Sequence, residues 1–367
     1  MVLRMALIPL ALAIGVPLTA ARVPVIYTSD LFHPHDDPDD HYDLATLFSL
    51  PELDVKAIVI DMSHSDGGKK PPGVAAIRQM MHLTGRTVPY ATGLTRRLRS
   101  ATDTGLDQPA ETQGGVELIL STLRDSHEKV NLVAVGSLLD IAAAFNRQPE
   151  LLRAKVKAIY VNAGNGPDGW QEEWNVRLDP HAYRRIMLSG PPIEWYPCFG
   201  REGFLTYYRV DQAQALSPAP APLRAYFTYA LTRSSSDQIS FLAGEVAAPT
   251  GPRNMWSTLS LLDLAGRRLY RTEKGCEALP EAPGRPPVVI HRMRLVALAE
   301  VVDPATPAPP AHGPAPDFPC FHARLDVPEA PVRVLQRLEP DYGEVMASVL
   351  TNIVASFPAR KEDALRQ

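Results

Sequence analysis

The stretch Val23-Pro-Val-Ile-Tyr-Thr-Ser-Asp-Leu-Phe-His-Pro-His-Asp-Asp-Pro-Asp-Asp-His-Tyr-Asp43 joins two unlike segments. Residues 23–28 form a short apolar run rich in β-branched and aromatic side chains, which predicts a buried strand. Asp30 to Asp43 then hold six aspartates and three histidines in fourteen residues. Carboxylates crowded at the end of an apolar strand raise one another's pKa unless a cation sits among them. Carboxylates suit hard cations such as calcium or magnesium, whereas imidazole suits zinc or iron. The spacing is not that of an EF-hand, since no glycine stands at the bend and no glutamate closes the loop. The plainer reading of the same residues is a solvated acidic turn with Asp39 or Asp40 as the N-cap of the next helix.

Outward from this stretch, strand and helix alternate. His41 to Leu50 reads as a helix, Val55 to Ile60 as a second buried strand, and Gly73 to Leu83 as a helix closed by Gly85. A short strand over Thr87 to Tyr90 follows, then an amphipathic helix over Gly115 to Ser126. Val130 to Val135 and Lys155 to Val161 read as strands on either side of a helix from Leu138 to Asn146. Strands separated by helices pair in parallel, and the sheet is covered on both faces. The predicted fold class is therefore α/β, an open, mostly parallel sheet with helices on both faces and a Rossmann-like core. Ligands of such sheets bind beyond the carboxyl ends of the strands. The loops after Thr28, Ile60, Val135 and Val161 are expected to converge on one crevice. Pro218 to Pro222 and Asp303 to Pro319 read as loops, and Glu339 to Ser356 as a C-terminal helix.

The chain has 367 residues, 45% hydrophobic and 21% charged, with a net charge of −4. That composition excludes wholesale disorder, and the lack of a basic excess speaks against nucleic acid as a partner. Thirty-six prolines against 23 glycines point to stiffened loops. Residues 1–21 have Arg4, an apolar run and then small residues, the pattern of a cleaved secretory signal. The expectation is a single domain over 22–367, secreted or periplasmic, without stable membrane insertion after cleavage; the part from about 303 is the least defined. Cys198, Cys276 and Cys320 allow at most one disulfide and show no zinc-knuckle spacing.

Several motifs together resemble the inosine-uridine nucleoside hydrolases. The strand, Asp30 and the Asp39-Asp40 pair resemble that family's Thr-Asp-Pro-Gly-x-Asp-Asp opening. Leu132-Val-Ala-Val-Gly-Ser-Leu-Leu-Asp-Ile-Ala142 is similar to its Leu-Val-x-x-Gly-Pro-Leu-Thr-Asn-Ile-Ala segment. Ile159-Tyr-Val-Asn-Ala-Gly164 stands where the family has Val-Val-Met-Gly-Gly. Glu173-Trp-Asn-Val-Arg-Leu-Asp-Pro-His-Ala182 resembles Glu-Phe-Asn-x-x-x-Asp-Pro-Glu-Ala, and Thr84 to Gly93 matches a further stretch. Order and separations agree from about Val23 to about Leu264.

The resemblance implies hydrolysis of an N-glycosidic, ribosyl bond with Ca²⁺ as cofactor. It implies metal ligands at Asp30, Asp40, the Val135 carbonyl and Asn254, with Asp37 able to replace Asp30 within the inserted loop. The ion would lower the pKa of a water, and a carboxylate would take its proton. Asp30 is the expected base, with Asp39 contacting the sugar. Asn162, Asn165, Glu173 and Asn175 are the expected ribose contacts, and Trp174 and Trp256 the expected stacking residues. The partner implied is a small sugar or nucleoside, and the assembly a homo-oligomer.

Three departures from the family stand in the sequence. The aspartate loop carries an insertion with His33, His35, Asp36 and Asp37. The family's late His-Asp-Pro is Arg253-Asn-Met255, which loses one charge and a histidine able to protonate a leaving base; arginine stays protonated and cannot act as a general acid. The proline of the Gly-Pro-Leu turn is Ser137, followed by Leu139-Asp140 in place of Thr-Asn. Two alternatives stand beside the hydrolase reading: a secreted carbohydrate- or nucleoside-binding protein without turnover, and a zinc-dependent hydrolase using His33, His35 and Asp37.

Overall fold

A computed structural model of the chain describes residues 21–32, 39–63, 73–167, 172–200, 203–300, 321–338 and 340–360. The proposed signal (residues 1–20 of it), the insertion 33–38 with His33, His35 and Asp37, Cys320 and the loop 303–319 lie outside these residues.

The first half of the chain is a βα alternation. β1 (Val23–Ser29) leads to α1 (Asp39–Ser49), β2 (Leu53–Ile60) to α2 (Val74–Thr84), and β3 (Tyr90–Thr92) to α3 (Gly114–Asp125). β4 (Val130–Ala134) leads to α4 (Leu139–Arg147) and α5 (Pro149–Lys155), then β5 (Val156–Val161) to α6 (Trp174–Leu178) and α7 (Pro180–Met187). β6 (Ile193–Trp195) follows, then the short strands β7 (Phe199–Gly200), β8 (Gly203–Phe204) and β9 (Tyr208–Asp211). α8 (Gln212–Leu216) and α9 (Ala221–Leu231) precede β10 (Pro252–Met255) and α10 (Thr258–Leu264). The last part comprises β11 (Arg267–Thr272), β12 (Gly275–Pro280), β13 (His291–Glu300), β14 (Phe321–Leu325), β15 (Val332–Arg337) and α11 (Tyr342–Ala355).

The central sheet has nine strands in the order β14-β13-β15-β6-β5-β4-β1-β2-β3. All pairings from β15 to β3 are parallel, and β13 pairs antiparallel with both β14 and β15. The expected open, mostly parallel sheet is therefore present. The late strands belong to the same sheet and extend it.

Successive residues of a buried strand face opposite layers, and the core divides accordingly. Val25 and Tyr27 of β1 pack with side chains of α1, α2, α9, α10 and α11, whereas Ile26 packs with those of α3, α4 and α7. Both faces are apolar, which is why β1, β2 and β4 read as continuous hydrophobic runs rather than alternating ones. The expected helix stop at Gly85 holds: Gly85 adopts φ 69°, the left-handed conformation that lets the chain leave α2. β3 lies over Tyr90–Thr92 rather than Thr87–Tyr90, because Tyr90, Ala91 and Thr92 pair with Ile58, Val59 and Ile60 while Thr87, Val88 and Pro89 lie outside that register. Cys198 and Cys276 are buried free thiols.

Candidate active site

The carboxyl ends of β1, β2, β4 and β5 converge, as doubly wound topology requires. Asp30 directly follows β1 and is buried, and Asp40 in the first turn of α1 is buried with it. Their side chains are hydrogen-bonded to each other. Burial is the largest influence on both, and it pushes Asp30 up to about 6. Asp40 rises further, through burial and then the charge of Asp30. The two carboxyls titrate as a pair, and burial disfavours their both being ionised. Asp39, the residue before Asp40, lies at the helix start and adds negative charge to the pair.

Asp61 has the same relation to β2 that Asp30 has to β1. Its backbone amide donates to Ser29 O at 2.8 Å, tying the two strand ends together. Its carboxylate accepts from the Ser63 amide (2.9 Å) and the Ser137 amide (2.6 Å). Gly136 fits between Asp61 and Asp30: a Cβ there would lie 2.8 Å from Asp61 Oδ2 and 3.1 Å from Asp30 Oδ1. Only glycine allows that approach. Sequence reasoning missed Asp61, although an aspartate ending an apolar strand was the signal that found Asp30.

The asparagines line one side. Asn162 follows β5, and its Nδ2 donates to Ala134 O at 3.0 Å, while its Oδ1 is buried with no hydrogen-bond partner among the described residues. Asn175 Nδ2 donates to Val135 O at 2.9 Å and to Asn162 O at 3.1 Å, strapping α6 to the ends of β4 and β5. Asn165 is buried and forms a bridge with Phe199. Glu173 departs from its expected role. Its carboxylate caps α6 by accepting from the amides of Asn175 (3.0 Å) and Val176 (3.1 Å), and it accepts from the Gly164 amide (2.7 Å) and the Cys198 thiol (3.6 Å). A carboxylate with this many protein donors braces the loop rather than holding a sugar hydroxyl. Burial raises it despite those bonds.

Asn254 also departs from expectation. It lies exposed on β10, and its Oδ1 accepts from the Tyr207 hydroxyl at 2.9 Å. The reason is local: β10 pairs antiparallel with β9, which sets Asn254 opposite Arg209. Trp256, two residues on, lies in an aromatic cluster with Tyr207 (4.9 Å between ring centroids), Phe199 (5.6 Å) and Phe204 (5.8 Å). Phe204 is 51% exposed, so the cluster of tilted rings presents apolar surface to solvent. Trp174 is 47% exposed, and the Arg177 guanidinium lies over its ring.

The residues suit a hard cation at Asp30 and Asp40. The charges acting on this buried pair are those of Asp61, Glu173, Asp39 and Asp43, all carboxylates. Such a set is stable only if protonated or balanced by a cation. Among the described residues no group of three or more His, Cys, Asp or Glu side chains is placed to hold a metal. Further donors would have to be carbonyl or amide oxygens such as Val135 O, which hard cations accept.

A profile described as inosine-uridine preferring nucleoside hydrolase matches residues 35–271. The chain belongs to this family. The match includes Asp39, Asp40, Asp61, Asn162, Asn175 and Trp256, and it starts just after Asp30. Over 192 residues the chain is 32% identical to the pyrimidine-specific ribonucleoside hydrolase RihA of Citrobacter koseri and 30% identical to that of Escherichia coli O1:K1 / APEC. Each alignment covers 47% of this chain and 58% of the relative, so the chain spans little more than half the length of these curated relatives. Among solved structures, an inosine-guanosine nucleoside hydrolase superposes with a TM-score of 0.52 at 14% identity, covering 91% of this chain and 99% of that one. The type III effector XopQ, solved with adenosine diphosphate ribose, gives 0.52 at 16% identity, covering 92% of this chain and 95% of that one. These likenesses show that the family fold extends over most of the chain.

Proposed function

We propose that this protein hydrolyses the N-glycosidic bond of ribonucleosides with the help of Ca²⁺. The observation that carries the reading is the buried Asp30–Asp40 pair at the mouth of the sheet. A bound calcium ion would supply charge to lower the pKa of a water and to hold sugar hydroxyls. Asp30 and Asp40 would hold it, together with Val135 O. Asp30 takes the proton of the attacking water as the C1–N bond opens through an oxocarbenium-like state, and the base leaves with the bonding electron pair and takes its proton from solvent. Asp39 orients the sugar at the helix start. Asn162 Oδ1, buried and without a partner among the described residues, accepts from a ribose hydroxyl. The leaving base stacks on the face formed by Trp256, Tyr207 and Phe204.

The test is release of p-nitrophenol from p-nitrophenyl riboside with and without calcium. Wild type turns over; Asp30→Asn loses about 10²–10⁴-fold, the usual share of a positioned base, and Asp39→Asn raises KM. Turnover unchanged in Asp30→Asn refutes the assignment. A binding protein without turnover is the second reading, favoured by Asn254, which is bonded to Tyr207. Ribose affinity with no p-nitrophenol release would establish it. The N-terminal apolar segment supports export. Mass spectrometry of exported material is expected to find the chain starting near Arg22, and an intact Met1 terminus would overturn that.

A further inference from the structure

We propose that Asp61 is a positioning residue of this hydrolytic site, fastening the Gly136–Ser137 turn to the end of β1 through hydrogen bonds. The inference rests on the hydrolase reading. Its starting point is the departure at Ser137. Proline has a locked φ and no N–H. Serine restores both the freedom and the donor, and here the donor is buried. A buried amide needs an acceptor, and Asp61 Oδ2 accepts it at 2.6 Å.

The same carboxylate accepts from Ser63, and the Asp61 amide holds Ser29 O, the carbonyl just before Asp30. Asp61 thus fastens the end of β1, its own loop and the Gly136–Ser137 turn at one point. Val135, whose carbonyl faces Asn175, precedes that turn. Asp30 lies against the other side of Gly136. Each oxygen of Asp61 already accepts a backbone amide, and in this proposal it acts through Asp30 and Val135.

The substitution pattern gives a reciprocal test. Ser137→Pro alone puts the ring against Asp61 Oδ2 and leaves a buried carboxylate short of its donor. Asp61→Ala alone leaves the Ser137 amide without an acceptor. Asp61→Ala with Ser137→Pro removes both groups and restores a rigid turn. Asp61→Asn, which keeps one acceptor oxygen, serves if the alanine variant does not fold.

Turnover of p-nitrophenyl riboside and calcium affinity by titration calorimetry are measured on folded protein. Each single substitution is expected to lower kcat at least tenfold with KM little changed, and to weaken calcium at least tenfold. The double variant recovers most of both. Singles that lower the melting temperature but leave kcat and calcium affinity intact overturn the proposal, as does a double variant worse than either single. If wild type binds calcium but turns over no riboside, the hydrolase reading fails. The calcium cycle then decides alone: recovery in the double variant upholds the clamp and its absence overturns it. Wild type binding no calcium and showing no turnover overturns both.

Discussion

At the residue scale the site is a collection of buried acids, each held in a different way. Asp43 is pushed up to about 7 by burial, against the bond it accepts from Thr258 Oγ1 at 2.7 Å. Thr258 in turn accepts from the Tyr208 hydroxyl at 2.8 Å, so α1, α10 and β9 meet at one point. Asp140 is pushed up to about 8, first by burial and then by the charge of Asp61. Its Oδ1 accepts from the Leu94 amide at 3.0 Å, while its Oδ2 has no partner among the described residues and presses on Gly93. A folded pKa raised above the unfolded one means that the native state holds the proton more tightly. The stability this residue contributes is present below about pH 4 and is lost as pH rises toward 8. Asp140→Asn buries an amide N–H₂ without a partner and is expected to melt lower than wild type at pH 6. Because it cannot ionise, that gap is expected to narrow as pH rises from 6 to about 8 and to level off above that. A gap constant with pH in thermal melts would contradict the assignment of Asp140 as a neutral acid.

At the element scale, short helices carry the site and depend on their caps. α6 has only five residues, too few to persist on its own. Glu173 holds its first turn and Asn175 ties it to Val135 O. Glu173→Ala leaves the buried amides of Gly164 and Val176 and the half-buried one of Asn175 without acceptors, at about 1–3 kcal/mol for each buried group left unsatisfied. Circular-dichroism melts are expected to show a drop of several degrees together with lower turnover; an unchanged melting curve would show that the cap is dispensable. This role was not legible in the sequence. A glutamate beside Trp174 and Asn175 reads equally well as a sugar contact or as a helix N-cap, and only the backbone direction decides. Asn254 was illegible for a similar reason: its side chain follows from the pairing of β10 with β9, two short strands with no strong hydrophobic pattern. By contrast the place of Asp30 was legible, because an apolar strand running directly into an aspartate sets that side chain at the mouth of the sheet. The Asp61 clamp lay between these cases, since its partner is a backbone amide 76 positions away.

At the scale of the whole molecule, the parallel order from β15 to β3 was readable from the βα alternation, since parallel strands need crossovers and crossovers need helices. The antiparallel extension through β13 and β14 was not, because its partners are remote in sequence and the intervening residues are rich in proline and alanine. The fold brings four strand ends to one crevice, so that acids from β1, α1 and β2 share a volume closed by asparagines from β5 and α6. We propose that this crevice delivers water to the anomeric carbon of a ribosyl group. Hydrolysis of uridine or inosine in ¹⁸O-enriched water, followed by mass spectrometry of the products, tests it most directly. Wild type with calcium is expected to place one ¹⁸O in ribose and none in the released base, and Asp30→Asn to form labelled ribose at least a hundredfold more slowly. Unlabelled ribose, or labelled ribose formed equally fast by Asp30→Asn, would contradict the account.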